Sequence, residues 1–143
     1  MSAAEAGRQF ADTNLLVYAH DLDAGPKAAR ARDLLASLWE SGEGCLSLQV
    51  LQEFYVTVTR RLRRPLTHEA ALELVEDFSR WTLHTPARED LLSAIQISHR
   101  HRLSLWDALI VRSAFRLGCR ILWTEDLKNG ETYEGVRARN PFR

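Results

Sequence analysis

Short apolar runs alternate with longer stretches of helical spacing along this chain, and that alternation restricts the fold more than any other feature. Gln9–Asp12, Cys45–Ser47, Thr82–Thr85 and Arg120–Trp123 are too short for buried helices and read as strands. Between them, Thr13–His20 carries Leu15, Leu16 and Val17. Lys27–Glu40, opened by Gly25-Pro26, carries Ala31, Leu34, Leu35 and Leu38 at helical spacing. Leu48–Leu62 carries a stripe of Val50, Leu51, Phe54, Val58 and Leu62, and Pro65 ends it. Glu69–Trp81 follows Thr67 as N-cap. Pro86–Arg102 offers Leu91, Leu92, Ile95 and Ile97 as core, and Ser104–Leu117 closes on Gly118. Thr124–Gly130 reads as a loop or short helix, and Val136–Arg139 as a last edge strand. Strands separated by helices predict an α/β fold around a mostly parallel sheet of four or five strands, with six or seven helices.

No repeat, low-complexity block or Pro/Gly/Ser linker divides the 143 residues, so one domain over 9–143 is expected, behind a flexible tail at 1–8. The tail lacks the apolar segment of a secretory signal, and no apolar stretch approaches the ~20 residues that span a membrane. Cys45 and Cys119 stand alone, without C-x-x-C or zinc spacing, and read as buried free thiols. A cytoplasmic protein with no membrane contact is the expectation.

Formal charge is zero, with 19 basic and 19 acidic residues, which argues against a protein that simply coats nucleic acid. Setting four acids aside for a metal site leaves 15 against 19, a balance of +4. All the cations but Lys27 and Lys128 are Arg, whose fork suits phosphate.

Asp12 ends the first predicted strand and Asp126 follows the fourth, so both fall at strand carboxyl ends, where open α/β sheets place their ligand crevice. Glu53 sits among apolar residues of the Leu48–Leu62 helix, and Asp107 near the start of the Ser104–Leu117 helix. Singly, each has an ordinary alternative: a turn or cap for Asp12 and Asp126, a solvated surface for Glu53, a favourable helix-dipole contact for Asp107.

Four motifs in order weigh against those alternatives. Phe10-Ala11-Asp12-Thr13-Asn14, Ser47-Leu48-Gln49-Val50-Leu51-Gln52-Glu53, Leu105-Trp106-Asp107-Ala108 and Leu122-Trp123-Thr124-Glu125-Asp126 resemble, in family order, the four acidic motifs of the PIN-domain family. The likeness is greatest to the VapC-like toxins of bacterial toxin–antitoxin pairs and runs from Gln9 to Phe142. Trp123 departs from it, standing where a smaller apolar residue is expected.

The resemblance implies a three-layer α/β/α sandwich and a Mg²⁺- or Mn²⁺-dependent endoribonuclease with Asp12, Glu53, Asp107 and Asp126 as catalytic, metal-site residues. Hard cations prefer carboxylate and water oxygens. Asp12 and Asp107 are the expected direct ligands, Glu53 and Asp126 ligands directly or through water, for one ion or two. Asn14 and Thr124 are candidates to orient carboxylates or water. Arg60, Arg61, Arg63 and Arg64 cluster at the end of the Glu53 helix. Arg60 lies about 10 Å along the axis from Glu53 at ~1.5 Å per residue, suited to flanking phosphates rather than to the metal. Arg60, Arg61 and Arg64 are therefore candidate RNA contacts, with Arg112 and Arg116 a second track. His99 and His101 face different directions and are set aside.

The resemblance also implies an RNA substrate, a small cognate antitoxin that occludes the site, and a homodimer. Trp39, Tyr55 and Trp81 are candidates for interface or core. The alternative is a non-catalytic PIN-like RNA- or protein-binding module. A phosphoryl-transfer receiver would need a Lys at the site, and neither Lys27 nor Lys128 is well placed.

Overall fold

A computed structural model of the chain describes residues 7–143. In chain order it contains β1 (Gln9–Ala11), α1 (Thr13–His20), α2 (Pro26–Ser41), β2 (Gly44–Ser47), α3 (Leu48–Arg60), α4 (His68–Phe78), β3 (Thr82–His84), α5 (Arg88–His101), α6 (Leu105–Arg116), β4 (Ile121–Trp123), β5 (Thr132–Tyr133) and β6 (Val136–Arg139). The sheet order is β3-β2-β1-β4-β6-β5, parallel except for the β5–β6 pair.

Six strands among the described residues exceed the four or five expected. The extra one, β5, is two residues long, too short for an alternation to register. Thr124–Gly130 is loop and turn rather than helix. Residues 1–6 of the expected tail lie outside the described residues. Arg8 is held in place: its guanidinium donates to the Leu117 carbonyl at 2.9 Å, and its carbonyl accepts from the Arg120 N–H.

The topology determines where a ligand can sit. From β1 the chain crosses through α1 and α2 to β2, then through α3 and α4 to β3, always in one direction. It then returns through α5 and α6 to β4 on the other side of β1. Right-handed crossovers in opposite directions put their helices on opposite faces, giving the three layers. The reversal point lies between β1 and β4, and at the carboxyl ends of such neighbours a crevice opens.

The core is continuous. Phe10, Leu46 and Leu122 from the strands meet Leu15, Leu16, Val50, Phe54 and Val111 from the helices, all fully buried. Each such side chain contributes roughly 1.5–3 kcal/mol by leaving water. Gly44 admits the Trp81 indole: a Cβ there would lie 2.4 Å from the ring. Cys45 and Cys119 are buried free thiols. No helix among the described residues is long and apolar enough to cross a membrane.

The expected core of α5 is corrected. Ile97 is buried, but Leu91, Leu92 and Ile95 stand 42%, 55% and 47% exposed. The buried stripe of α5 is Asp90, Ala94 and Ile97. A carboxylate in that stripe hides it from a search for apolar periodicity.

Candidate active site

Each of the four acids reaches the β1–β4 crevice from a different element. β1 ends at Ala11, and Asp12 takes the extended N-cap position of α1. One Asp12 carboxylate oxygen accepts from the Thr13 N–H at 2.7 Å, and the other from the Thr124 hydroxyl at 2.8 Å. Thr124 is fully buried just past β4, and its hydroxyl accepts in turn from the Asp126 N–H at 3.1 Å. A single threonine thus ties the two strand-end acids together.

Glu53 comes from α3, on one face of the sheet. The Thr13 hydroxyl donates to its Oε1 at 2.8 Å. Asp107 comes from α6, on the other face. It lies in the first helical turn, where Ser104 caps the helix by accepting from the Asp107 N–H. Asn14 donates to Asp126 Oδ2 at 3.1 Å. These four acids, with Thr13 and Asn14, line one cleft of about 550 Å³. That volume is in the range of small-ligand sites.

Electrostatics follows from this crowding. Burial, reinforced by the nearby charges of Asp126 and Asp107, raises the Asp12 carboxyl from 3.8 to about 7 despite its two hydrogen bonds. Burial also raises Asp107, with Glu53 adding to it, and Asp126, with Asp107 and Glu125 adding to it. The protein alone therefore stabilises the charge on this group of acids poorly.

The donor set suits a hard divalent cation. It offers carboxylate oxygens and, at Asn14, a buried Oδ1 with no hydrogen-bond partner among the described residues. No three Asp, Glu, His or Cys side chains among the described residues close into a finished cage. Mg²⁺ takes one or two carboxylates directly and keeps several waters, so it does not require such a cage.

The arginines divide. Arg61, the C-cap of α3, lines the cleft. Arg60 is exposed on the last turn of α3, outside the lining. Arg64 pairs with Asp23, two guanidinium nitrogens meeting the two carboxylate oxygens at 3.2 and 3.0 Å. Arg112 has other work than the RNA contact expected of it. Its Nε donates to buried Asp90 at 2.9 Å, and it does not line the cleft. Arg116 reaches the same oxygen at 3.3 Å. Facing a buried carboxylate is the more stable use of a cation on that side of α6.

Trp123 does not form the cleft wall. It is buried, and its indole N–H donates to Gln9 at 2.7 Å. Glu125 points away, taking the Lys27 ammonium at 2.8 Å and the Tyr18 hydroxyl. Trp39 and Trp81 pack edge to face at 6.0 Å, with Trp39 half exposed.

Thr13 and Trp106 are among the cleft residues given no role from the sequence. Thr13, inside the Asp-Thr-Asn motif, positions Glu53. Trp106, beside Asp107, lines the same cleft and is 63% exposed. Their motif neighbours were the available signal.

Solved structures share this architecture. VapC20 of Mycobacterium tuberculosis, described as a sarcin–ricin loop cleaving toxin, is 19% identical with a TM-score of 0.64, over 90% of this chain and 98% of that one. A toxin–antitoxin complex from Klebsiella pneumoniae gives 19% and 0.68, over 94% and 98%. DNA-bound VapBC from Salmonella typhimurium gives 20% and 0.65, over 94% and 98%. At such identities the likeness is one of fold. No curated protein sequence matches this one. The PIN-domain family model matches residues 10–133, covering all four acids and the whole switch-point crevice, and the chain belongs to the PIN-domain family.

Proposed function

We propose that this protein is a Mg²⁺- or Mn²⁺-dependent endoribonuclease acting as the toxin of a toxin–antitoxin pair. The carrying observation is the convergence of Asp12, Glu53, Asp107 and Asp126 on one cleft from both faces of the sheet. Asp12 and Asp107 are the ligands that would hold the ion directly, with Glu53 and Asp126 direct or through water. When bound, the ion supplies a lowered water pKa and charge stabilisation on the phosphate oxygens. Thr124 holds Asp12 and Thr13 holds Glu53, so neither carboxylate needs to find its orientation during turnover. Asn14 does the same for Asp126. Arg61 places a cation at the cleft for a neighbouring phosphate.

In this reading the protein works in the cytoplasm as a homodimer. A small antitoxin occludes the cleft, an inserted arginine taking the place of the cation among the carboxylates. The Salmonella VapBC and Klebsiella toxin–antitoxin structures support a toxin–antitoxin setting by likeness of fold.

Sequencing RNA 5′ ends after expression of the protein tests this reading and names the target. Discrete new ends are expected with wild type and not with Asp107→Asn. Identical end profiles from the two would contradict the proposal.

A further inference from the structure

Trp106 is out of place for a residue serving only the fold. An indole is among the largest apolar groups available to a core, yet this one stands 63% exposed. It is not on a floppy segment. It lies in the first turn of α6, capped by Ser104, and its carbonyl accepts from the Gln49 side chain of α3 at 3.3 Å. Two helices from opposite faces of the sheet therefore fix its backbone. It is the chain neighbour of Asp107 and lines the same cleft as all four acids and Arg61. The cleft thus has a polar part that suits a phosphate and an aromatic ring within a nucleotide's reach of it.

We propose that Trp106 is a specificity-determining platform on which an unpaired nucleobase beside the scissile phosphate stacks. This rests on the nuclease reading above. A base in a duplex already stacks on both faces, and freeing it costs a few kcal/mol. An exposed base meets the ring without that cost. Stacking on an aromatic side chain is worth roughly 1–3 kcal/mol and accepts any base. Trp106 therefore reads strand state rather than sequence at this position of the cleft. A protein partner is the other occupant for an exposed aromatic. The largely apolar groove of α3, α4 and β3, which includes Leu48, Leu51, Leu72 and Leu83 and not Trp106, suits that role better.

The test uses the full chain in an Asp12→Asn background with Mg²⁺, so that RNA is held without turnover. Anisotropy of a labelled 12-nucleotide single-stranded RNA is compared with the same strand annealed to its complement. Trp106→Ala is expected to weaken single-strand binding about tenfold, which corresponds to 1.4 kcal/mol. Trp106→Phe should recover most of it, and duplex binding should be weaker and unchanged by either substitution. Circular dichroism confirms that both variants fold. Equal binding by Trp106→Ala and its parent, or an equal loss on single strand and duplex, overturns the proposal. So does unchanged RNA binding with a lower sedimenting mass, which assigns the ring to a protein interface. The nuclease reading fails separately: wild type that cleaves no RNA while Trp106→Ala still loses single-strand binding leaves the platform standing and removes the reaction.

Discussion

Asp12→Asn is expected to reduce RNA cleavage about 10³-fold, equivalent to about 4 kcal/mol of barrier, and at the same time to raise the melting temperature of the metal-free protein at pH 8. The two effects share a cause. Asp12 is 6% exposed, and burial, with Asp126 and Asp107 nearby, raises its carboxyl from 3.8 to about 7. The folded protein therefore holds this proton where the unfolded chain has lost it. Stability is unaffected below about pH 4, falls as pH rises from about 4 to 7, and stays lowered above that. A shift of this size corresponds to roughly 4 kcal/mol at most. Asn keeps an oxygen to accept from the Thr13 N–H and has no charge to bury, so it recovers part of that penalty. At about 4 °C per kcal/mol for a chain of this length, a rise of several degrees follows. The gain should vanish at pH 4. Mg²⁺ should stabilise wild type more than the variant, because ligand binding to the native state adds stability. A variant that melts lower than wild type at pH 8 would show that the carboxylate is not a source of strain.

Asp90→Ala is expected to destabilise the fold by about 3–5 kcal/mol, the usual cost of removing one partner from a buried ion pair. Asp90 is 1% exposed. Its Oδ2 accepts from the Ala87 N–H at 2.8 Å, capping α5, and lies 3.4 Å from His84 Nε2. Its Oδ1 takes Arg112 at 2.9 Å and Arg116 at 3.3 Å. Burial alone would raise its carboxyl, but the Ala87 N–H, Arg112, His84 and Arg116 outweigh it and hold the group below its usual range. His84, pushed down by burial, is anchored through Nδ1 to fully buried Ser113 at 2.8 Å. This one carboxylate therefore joins β3, α5 and α6, the layer that presents Asp107. Because the folded-state value is lowered, its contribution is present above the unfolded value and lost as pH falls through that range. Its pH dependence is opposite in sign to that of Asp12. Urea unfolding at pH 7 measures the effect, and a loss under 1 kcal/mol would mean that the network is not a structural tie.

The contrast between these two aspartates shows what the sequence could reveal. Asp12 was legible because it follows a strand directly, and strand ends at a switch point are where an α/β sheet opens. Asp126, Glu53 and Asp107 were legible only jointly, through the order of four motifs. Asp90 was not legible: it occupies a core-facing helical position, and periodicity registers only apolar residues there. The same blindness moved Leu91, Leu92 and Ile95 into the expected core when the chain leaves them exposed. Arg112 was misdirected for a related reason. A cation's spacing gives its helix face, but its partner was a carboxylate 22 residues away in sequence. β5 escaped because two residues cannot display a period of two.

The proposed reaction requires the four acids to act through a divalent cation. Single-turnover cleavage of RNA by one preparation of the full chain, in Mg²⁺ and then in excess EDTA with Mn²⁺ added back, tests this directly. Cleavage in Mg²⁺, its loss in EDTA and its return with Mn²⁺ are predicted. Equal cleavage rates with and without the chelator would contradict the account.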